Sequence, residues 1–85
     1  MNNIELCVIG RKSADFTAHL AVIRQINGLK VLKRRNKPFY DVSGTLNDEP
    51  LFLRMCGELS YLMNNCDAQI EIQDEQLRDK IVKLL

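Results

Sequence analysis

The stretch "LKVLKRRNKPFYDVSGTL" (29–46) decides the fold. It contains two runs of strand-like composition, 29–35 and 39–46, which are separated by the short segment Asn-Lys-Pro. Pro38 lacks a backbone N–H and cannot lie inside a central strand, so it belongs to the connection. The pattern therefore predicts two antiparallel strands joined by a tight turn.

A helical pattern lies on each side of this hairpin. Ahead of it, 13–28 has helical spacing, with Ser13 as the predicted N-cap and Gly28 as the stop. After it, 47–66 is the clearest helix, with Asn47 as the predicted N-cap. The residues predicted to face the core are Phe16, Leu20, Ile23 and either Ile26 or Asn27 in the first helix and Phe52, Met55, Cys56, Leu59, Leu62, Met63 and Cys66 in the second.

The outer segments complete the pattern. "IELCVI" (4–9) and "AQIEIQ" (68–73) alternate as strands do, and "DEQLRDKIVKLL" (74–85) predicts a short helix capped by Asp74, with an apolar stripe of Leu77, Ile81, Leu84 and Leu85. The order β-α-β-β-α-β-α predicts an α+β fold: a ferredoxin-like split βαββαβ antiparallel sheet with helices on one face, plus a short C-terminal helix. At 85 residues we expect a single domain over 1–85.

Charge is distributed unevenly along the chain. The net charge is only +1, yet 1–40 carries eight Lys/Arg and two Asp/Glu, whereas 41–85 carries four and nine. Such asymmetry indicates a directed surface. The highest density of positive charge falls on the hairpin, at Lys30, Lys33, Arg34, Arg35 and Lys37.

The hairpin resembles part of the RNA-recognition motif, which has the same topology and stacks bases on aromatic residues of its central strands. "KPFYDVSG" (37–44) is similar to the third-strand consensus, and parity places Phe39 on the open face of the sheet and Tyr40 in the core. Asp41 stands at the second stacking position, however, and the matching first-strand positions are Glu5 and Cys7. The sequence therefore predicts no base-stacking platform, and leaves phosphate-backbone binding by the basic residues as an alternative.

The turn "GRKSAD" (10–15) resembles the ligand-binding turn of small βαββαβ regulatory domains of the ACT type. That resemblance implies amino-acid binding beside the first strand and first helix, with Arg11, Lys12 and Ser13 facing a carboxylate or phosphate. The acidic-Pro-Gly signature of those domains is absent here. An ordinary connecting loop is the alternative reading of this turn.

No catalytic or metal-binding motif is recognisable. His19 has no partner at a triad spacing, and the three cysteines form no CxxC pair or disulfide framework, so we expect no enzyme activity, metal or cofactor. No stretch approaches the ~18 apolar residues of a membrane span. These features predict a soluble cytoplasmic protein.

Taken together, the residues favour a small non-enzymatic regulator, adaptor or inhibitor that binds an acidic protein surface. The predicted contact surface is the β2–β3 hairpin (30–37) with the neighbouring aromatic: Lys30, Lys33, Arg34, Arg35, Lys37 and Phe39. The alternatives are non-sequence-specific nucleic-acid binding by the same residues and an ACT-like ligand domain that uses Arg11, Lys12 and Ser13. A homodimer is compatible with each of these.

Overall fold

Residues 2–84 are described by the structure, a computed structural model. They form an antiparallel sheet and three helices in the predicted order: β1 (Asn2–Ile9), α1 (Ala14–Arg24), β2 (Leu29–Lys33), β3 (Phe39–Leu46), α2 (Glu49–Asn65), β4 (Gln69–Glu71) and α3 (Glu75–Val82).

The strand order in the sheet is β2-β3-β1-β4, and every neighbouring pair is antiparallel. β3 is thus inserted between β1 and β2, which are connected by α1. This is the ferredoxin-like split βαββαβ arrangement with a C-terminal helix added, so the predicted fold is confirmed.

The core lies between the helices and one face of the sheet. Predicted inward residues of the helices and of β1 and β3 are buried, and Tyr40 packs against Phe16 with ring centroids 5.3 Å apart. Two predicted core residues are wrong: Met63 is 41% exposed, although the neighbouring Leu62 is buried in the core, and Leu84 is 46% exposed beyond the end of α3. Leu85 lies outside the described residues.

The hairpin connection differs from the prediction in its bounds. β2 ends at Lys33, so Arg34 and Arg35 belong to the turn rather than to the strand. The Arg34 N–H donates to the Phe39 carbonyl at 2.8 Å, and Asn36 takes a left-handed φ of 58° in the turn between them. Asparagine adopts this conformation more readily than most residues, which explains why the chain reverses here.

Two helix caps are confirmed and one is wrong. The Ser13 hydroxyl accepts the Phe16 N–H at 3.1 Å, and the Asp74 carboxylate accepts from the first turn of α3. α2 begins one residue later than predicted, with Asp48 rather than Asn47 at the N-cap and with no side-chain cap bond. Pro50 in the first turn has a fixed φ that suits a helix start.

The last helix packs against the start of β1. β4 pairs only with Cys7–Ile9, so the first half of β1 lacks a strand on that side. α3 contacts β1 and buries Leu77 and Ile81. The Lys80 ammonium donates to the Asn2 side-chain oxygen at 2.6 Å. The C-terminal helix therefore completes the core where the sheet is incomplete.

Candidate functional site

The basic hairpin, defined here as 30–39, lies at one side of the molecule. Lys30 and Lys33 extend from the edge strand β2, and Arg35 and Lys37 project from the turn. All of these side chains are exposed. The predicted basic residues are thus all exposed along one edge of the sheet and its turn, with Lys30 and Lys33 on opposite faces of β2 and Phe39 half-buried beside them.

Arg34 is the exception within this surface, because its charge already has a partner. Its guanidinium donates two hydrogen bonds to the Asp41 carboxylate, Nε to Oδ2 and Nη2 to Oδ1, each 2.9 Å long. Hydrogen bonding to Arg34 lowers the pKa of Asp41, and the same bonds raise the pKa of Arg34. Arg34 therefore contributes little net charge to a ligand at this surface.

Phe39 is also engaged by Arg34. The guanidinium carbon lies 5.3 Å from the ring centroid, within cation–π range. The ring is therefore covered on one side by a cation that is itself held by Asp41. A base would have to displace this arrangement in order to stack on Phe39.

The remaining four basic side chains have no anionic partner in the described chain. Among residues 2–84, the contacts between basic and acidic side chains are those of Arg34 with Asp41 and of His19 with Asp15 and Glu58. Lys30, Lys33, Arg35 and Lys37 are thus solvated cations. Concentrated positive charge of this kind attracts acidic ligands.

A shallow groove of about 460 Å³ crosses the open face of the sheet beside the hairpin. Arg34 and Asp41 line one side, and Glu5 and Glu71 lie towards the other. Cys7 lies at its base and is only 7% exposed. Burial and the nearby Asp41 charge raise the pKa of this thiol, so it is a poor nucleophile.

The 10–15 turn provides fewer free groups than its resemblance implies. Arg11 and Lys12 are exposed, but the Ser13 hydroxyl caps α1 and the Gly10 N–H donates to the Pro38 carbonyl at 3.0 Å. A neighbouring depression of about 290 Å³ is lined partly by Arg11 and Asp67. The turn is organised as the start of a helix.

A polar cluster at the contact between α1 and α2 is absent from the sequence-based predictions. His19 Nδ1 lies 2.6 Å from Glu58 Oε2 and its Nε2 lies 3.5 Å from Asp15 Oδ1. The His19 ring stacks on Tyr61 at 3.7 Å, and the Tyr61 hydroxyl donates to Asp15 at 2.8 Å. This last bond raises the pKa of Tyr61.

The half-buried Cys66 completes this cluster at the end of α2. Its thiol donates to Asp15 at 3.7 Å, and desolvation together with that carboxylate raises its pKa. The i,i+4 spacing of Asp15 and His19 was a signal in the sequence. Glu58 lies 39 residues from His19, so helix packing alone brings them together.

The described residues were also compared with the requirements of a metal site and of a membrane span. Within 2–84, no three His, Cys, Asp or Glu side chains converge to hold a metal ion. Over the same range, none of the helices is both long and apolar enough to cross a membrane.

Comparison with known proteins gives no match to a family model, a curated protein or a solved structure.

Proposed function

We propose that this chain is a small non-enzymatic domain that binds the acidic surface of another protein through the basic hairpin. A domain that binds in this way would act as a regulator, an adaptor or an inhibitor. The observation that carries the proposal is the set of four exposed cations, Lys30, Lys33, Arg35 and Lys37, which have no anionic partner in the described chain. Their fields add because they lie along one sheet edge and the adjoining turn.

The reactive groups support a binding role rather than a catalytic one. Both ring nitrogens of His19 face carboxylates of the α1–α2 contact. Burial raises the pKa of all three thiols, which disfavours the nucleophilic thiolate. Three unpaired cysteines also fit a reducing compartment, and we propose the cytoplasm as the location.

Charge reversal tests this function. The variant Lys33→Glu/Arg35→Glu/Lys37→Glu changes three of the four free cations and keeps the Arg34–Asp41 pair. A matched control, Arg54→Glu/Arg78→Glu/Lys83→Glu, makes the same change in net charge at exposed positions of α2, of α3 and of the α3 C-cap. Affinity capture from the source cells with mass spectrometry is expected to lose specific partners with the first variant and keep them with the second.

Equal loss with both variants, or no loss with either, would contradict the proposal. Loss with both would show that net charge rather than the hairpin holds the partners. No loss would show that the partners bind elsewhere on the molecule.

Phosphate-backbone binding by the same four cations is the second candidate, since it needs positive charge and no stacking platform. Titration of single-stranded RNA and duplex DNA over a salt series separates the two. Phosphate binding predicts a steep loss of affinity with salt and no dependence on base sequence. If neither nucleic acid binds at ~50 mM salt, only the protein-binding candidate remains.

A further inference from the structure

The outer edge of β2 has a defined hydrogen-bonding pattern. Two bonds at the ends of the β2–β3 ladder determine it: Arg34 N–H donates to the Phe39 carbonyl, and Thr45 N–H donates to the Gly28 carbonyl. Both pairs obey the continuous register of the two strands. Residues 28 and 34 therefore direct their backbone groups towards β3.

The backbone N–H and C=O groups of successive residues point to opposite sides of a strand, so the direction of each residue between 28 and 34 can be assigned. Lys30 and Leu32 also bond to β3, whereas Val31 and Lys33 direct their N–H and C=O groups away from the sheet. β2 is the outermost strand on this side. Within 2–84, the backbone N–H and C=O groups of Val31 and Lys33 have no hydrogen-bond partner outside the sheet.

An exposed row of backbone donors and acceptors is a template for an added strand. The side chains beside these backbone groups determine which kind of strand can pair with them. Lys30 and Lys33 lie on opposite faces of β2, and Arg35 and Lys37 continue the charge into the turn. The apolar Leu32 is 58% exposed on the open face and offers contact area beside the charges.

The same charges disfavour a second copy of this chain in that place. Antiparallel pairing of β2 with its counterpart would bring the Lys30 and Lys33 ammonium groups of one copy close to those of the other. Like charges on facing strands destabilise a ladder. An acidic segment would instead neutralise them.

We propose that the outer edge of β2 binds an acidic segment of a partner protein in an extended conformation, as a fifth strand next to Val31 and Lys33. The inference rests on the proposed function and adds its mode of binding. Backbone hydrogen bonds would hold the segment, and its carboxylates would select the basic edge.

A pair of variants separates backbone pairing from charge. Lys33→Ala removes the charge and keeps the outward N–H, whereas Lys33→Pro removes both. Proline is tolerated here because the Lys33 N–H faces away from β3. The probe is an acidic peptide of about eight glutamate and valine residues, titrated by fluorescence anisotropy at low salt.

We expect the wild-type protein to bind this peptide and Lys33→Pro to bind it about tenfold more weakly than Lys33→Ala does. A second probe does not depend on any variant. The same peptide with N-methyl groups on every backbone nitrogen keeps its side-chain charge but can pair along neither edge, and it is expected not to bind.

Three results would overturn strand addition. Equal binding of the methylated and unmethylated peptides would show that charge alone acts, and would leave the proposed function intact. Absence of peptide binding, with hairpin-dependent capture of partners still present, would assign the contact to folded surfaces. Self-association of the wild type that is lost in Lys33→Pro would assign the edge to a second copy.

Discussion

Arg34 and Asp41 form an ion pair on the open face of the sheet, with side chains that are 51% and 41% exposed. Pairs exposed to this degree contribute little to stability and weaken as salt is added. The lowered pKa of Asp41 means that this contribution is present above the ordinary carboxyl pKa and is lost as the pH falls through the folded-state value. The pair therefore affects ligand binding more than it affects stability, since it neutralises one cation of the basic hairpin.

Replacing Gly44 or Gly57 with alanine is expected to change the free energy of unfolding in opposite directions. Gly44 has a φ of 145°, and a Cβ there would collide with the Gly28 carbonyl oxygen on the neighbouring chain segment. We expect Gly44→Ala to lower the free energy of unfolding by about 2–4 kcal/mol, from backbone strain and overpacking. Urea denaturation followed by circular dichroism measures this change.

Gly57 provides the matched control in the same protein. It lies inside α2, and a Cβ at this position meets no atom within 4 Å. Gly57→Ala is expected to stabilise the fold by about 0.5–1 kcal/mol through the higher helix propensity of alanine. A loss of stability in Gly57→Ala, or none in Gly44→Ala, would contradict this description of the two sites.

At the scale of elements, the contact between α1 and α2 combines apolar packing with a polar cluster near its surface. Glu58 from α2 bonds to His19 of α1, and Tyr61 stacks on the same ring. Both partners of the bond are less than one-third exposed, so it is better shielded than the pair on the open face. The cluster fixes one helix relative to the other.

A double-mutant cycle measures this coupling. His19→Ala alone is expected to lower the free energy of unfolding by about 1–2 kcal/mol, and its coupling to Glu58→Gln is expected to be about 1 kcal/mol. Thr17→Ala, on the exposed side of α1, is the control and should change stability by less than about 0.5 kcal/mol. Additive effects of the two cluster variants would show that the bond contributes nothing.

Local sequence patterns predicted the helices and strands, but they did not predict the side-chain contacts between residues that are distant in the chain. Alternation assigned Val42 and Tyr40 to the core, and cap chemistry located Ser13 and Asp74, because each depends on a few neighbouring residues. The Arg34–Asp41 pair depends on side-chain geometry across the hairpin, which residue types alone do not specify. The sequence thus predicted the cluster of basic residues in the hairpin, but it did not predict that Asp41 neutralises Arg34.

For the molecule as a whole, the three thiols lie at different depths. Cys56 is fully enclosed by the core, and desolvation raises its pKa to about 11. Cys7 is buried in the sheet, whereas Cys66 is half-buried at the end of α2. Reaction at Cys56 therefore requires the core to open.

Alkylation kinetics test this order. With iodoacetamide at neutral pH, we expect Cys66 to be modified first, Cys7 later and Cys56 last, as followed by peptide mass spectrometry. In denaturant all three should react at similar rates, which controls for intrinsic reactivity. Native Cys56 reacting as fast as Cys66 would contradict the enclosed core.

The bond between Lys80 and Asn2 brings the first strand and the last helix side by side. The tip of the basic hairpin adjoins the other end of β1, where Ile9 pairs with Phe39. Over the eight residues of β1 this separation is about 25 Å, at ~3.3 Å per residue. A fluorophore or surface tether attached next to Asn2 would therefore leave the hairpin free for a partner.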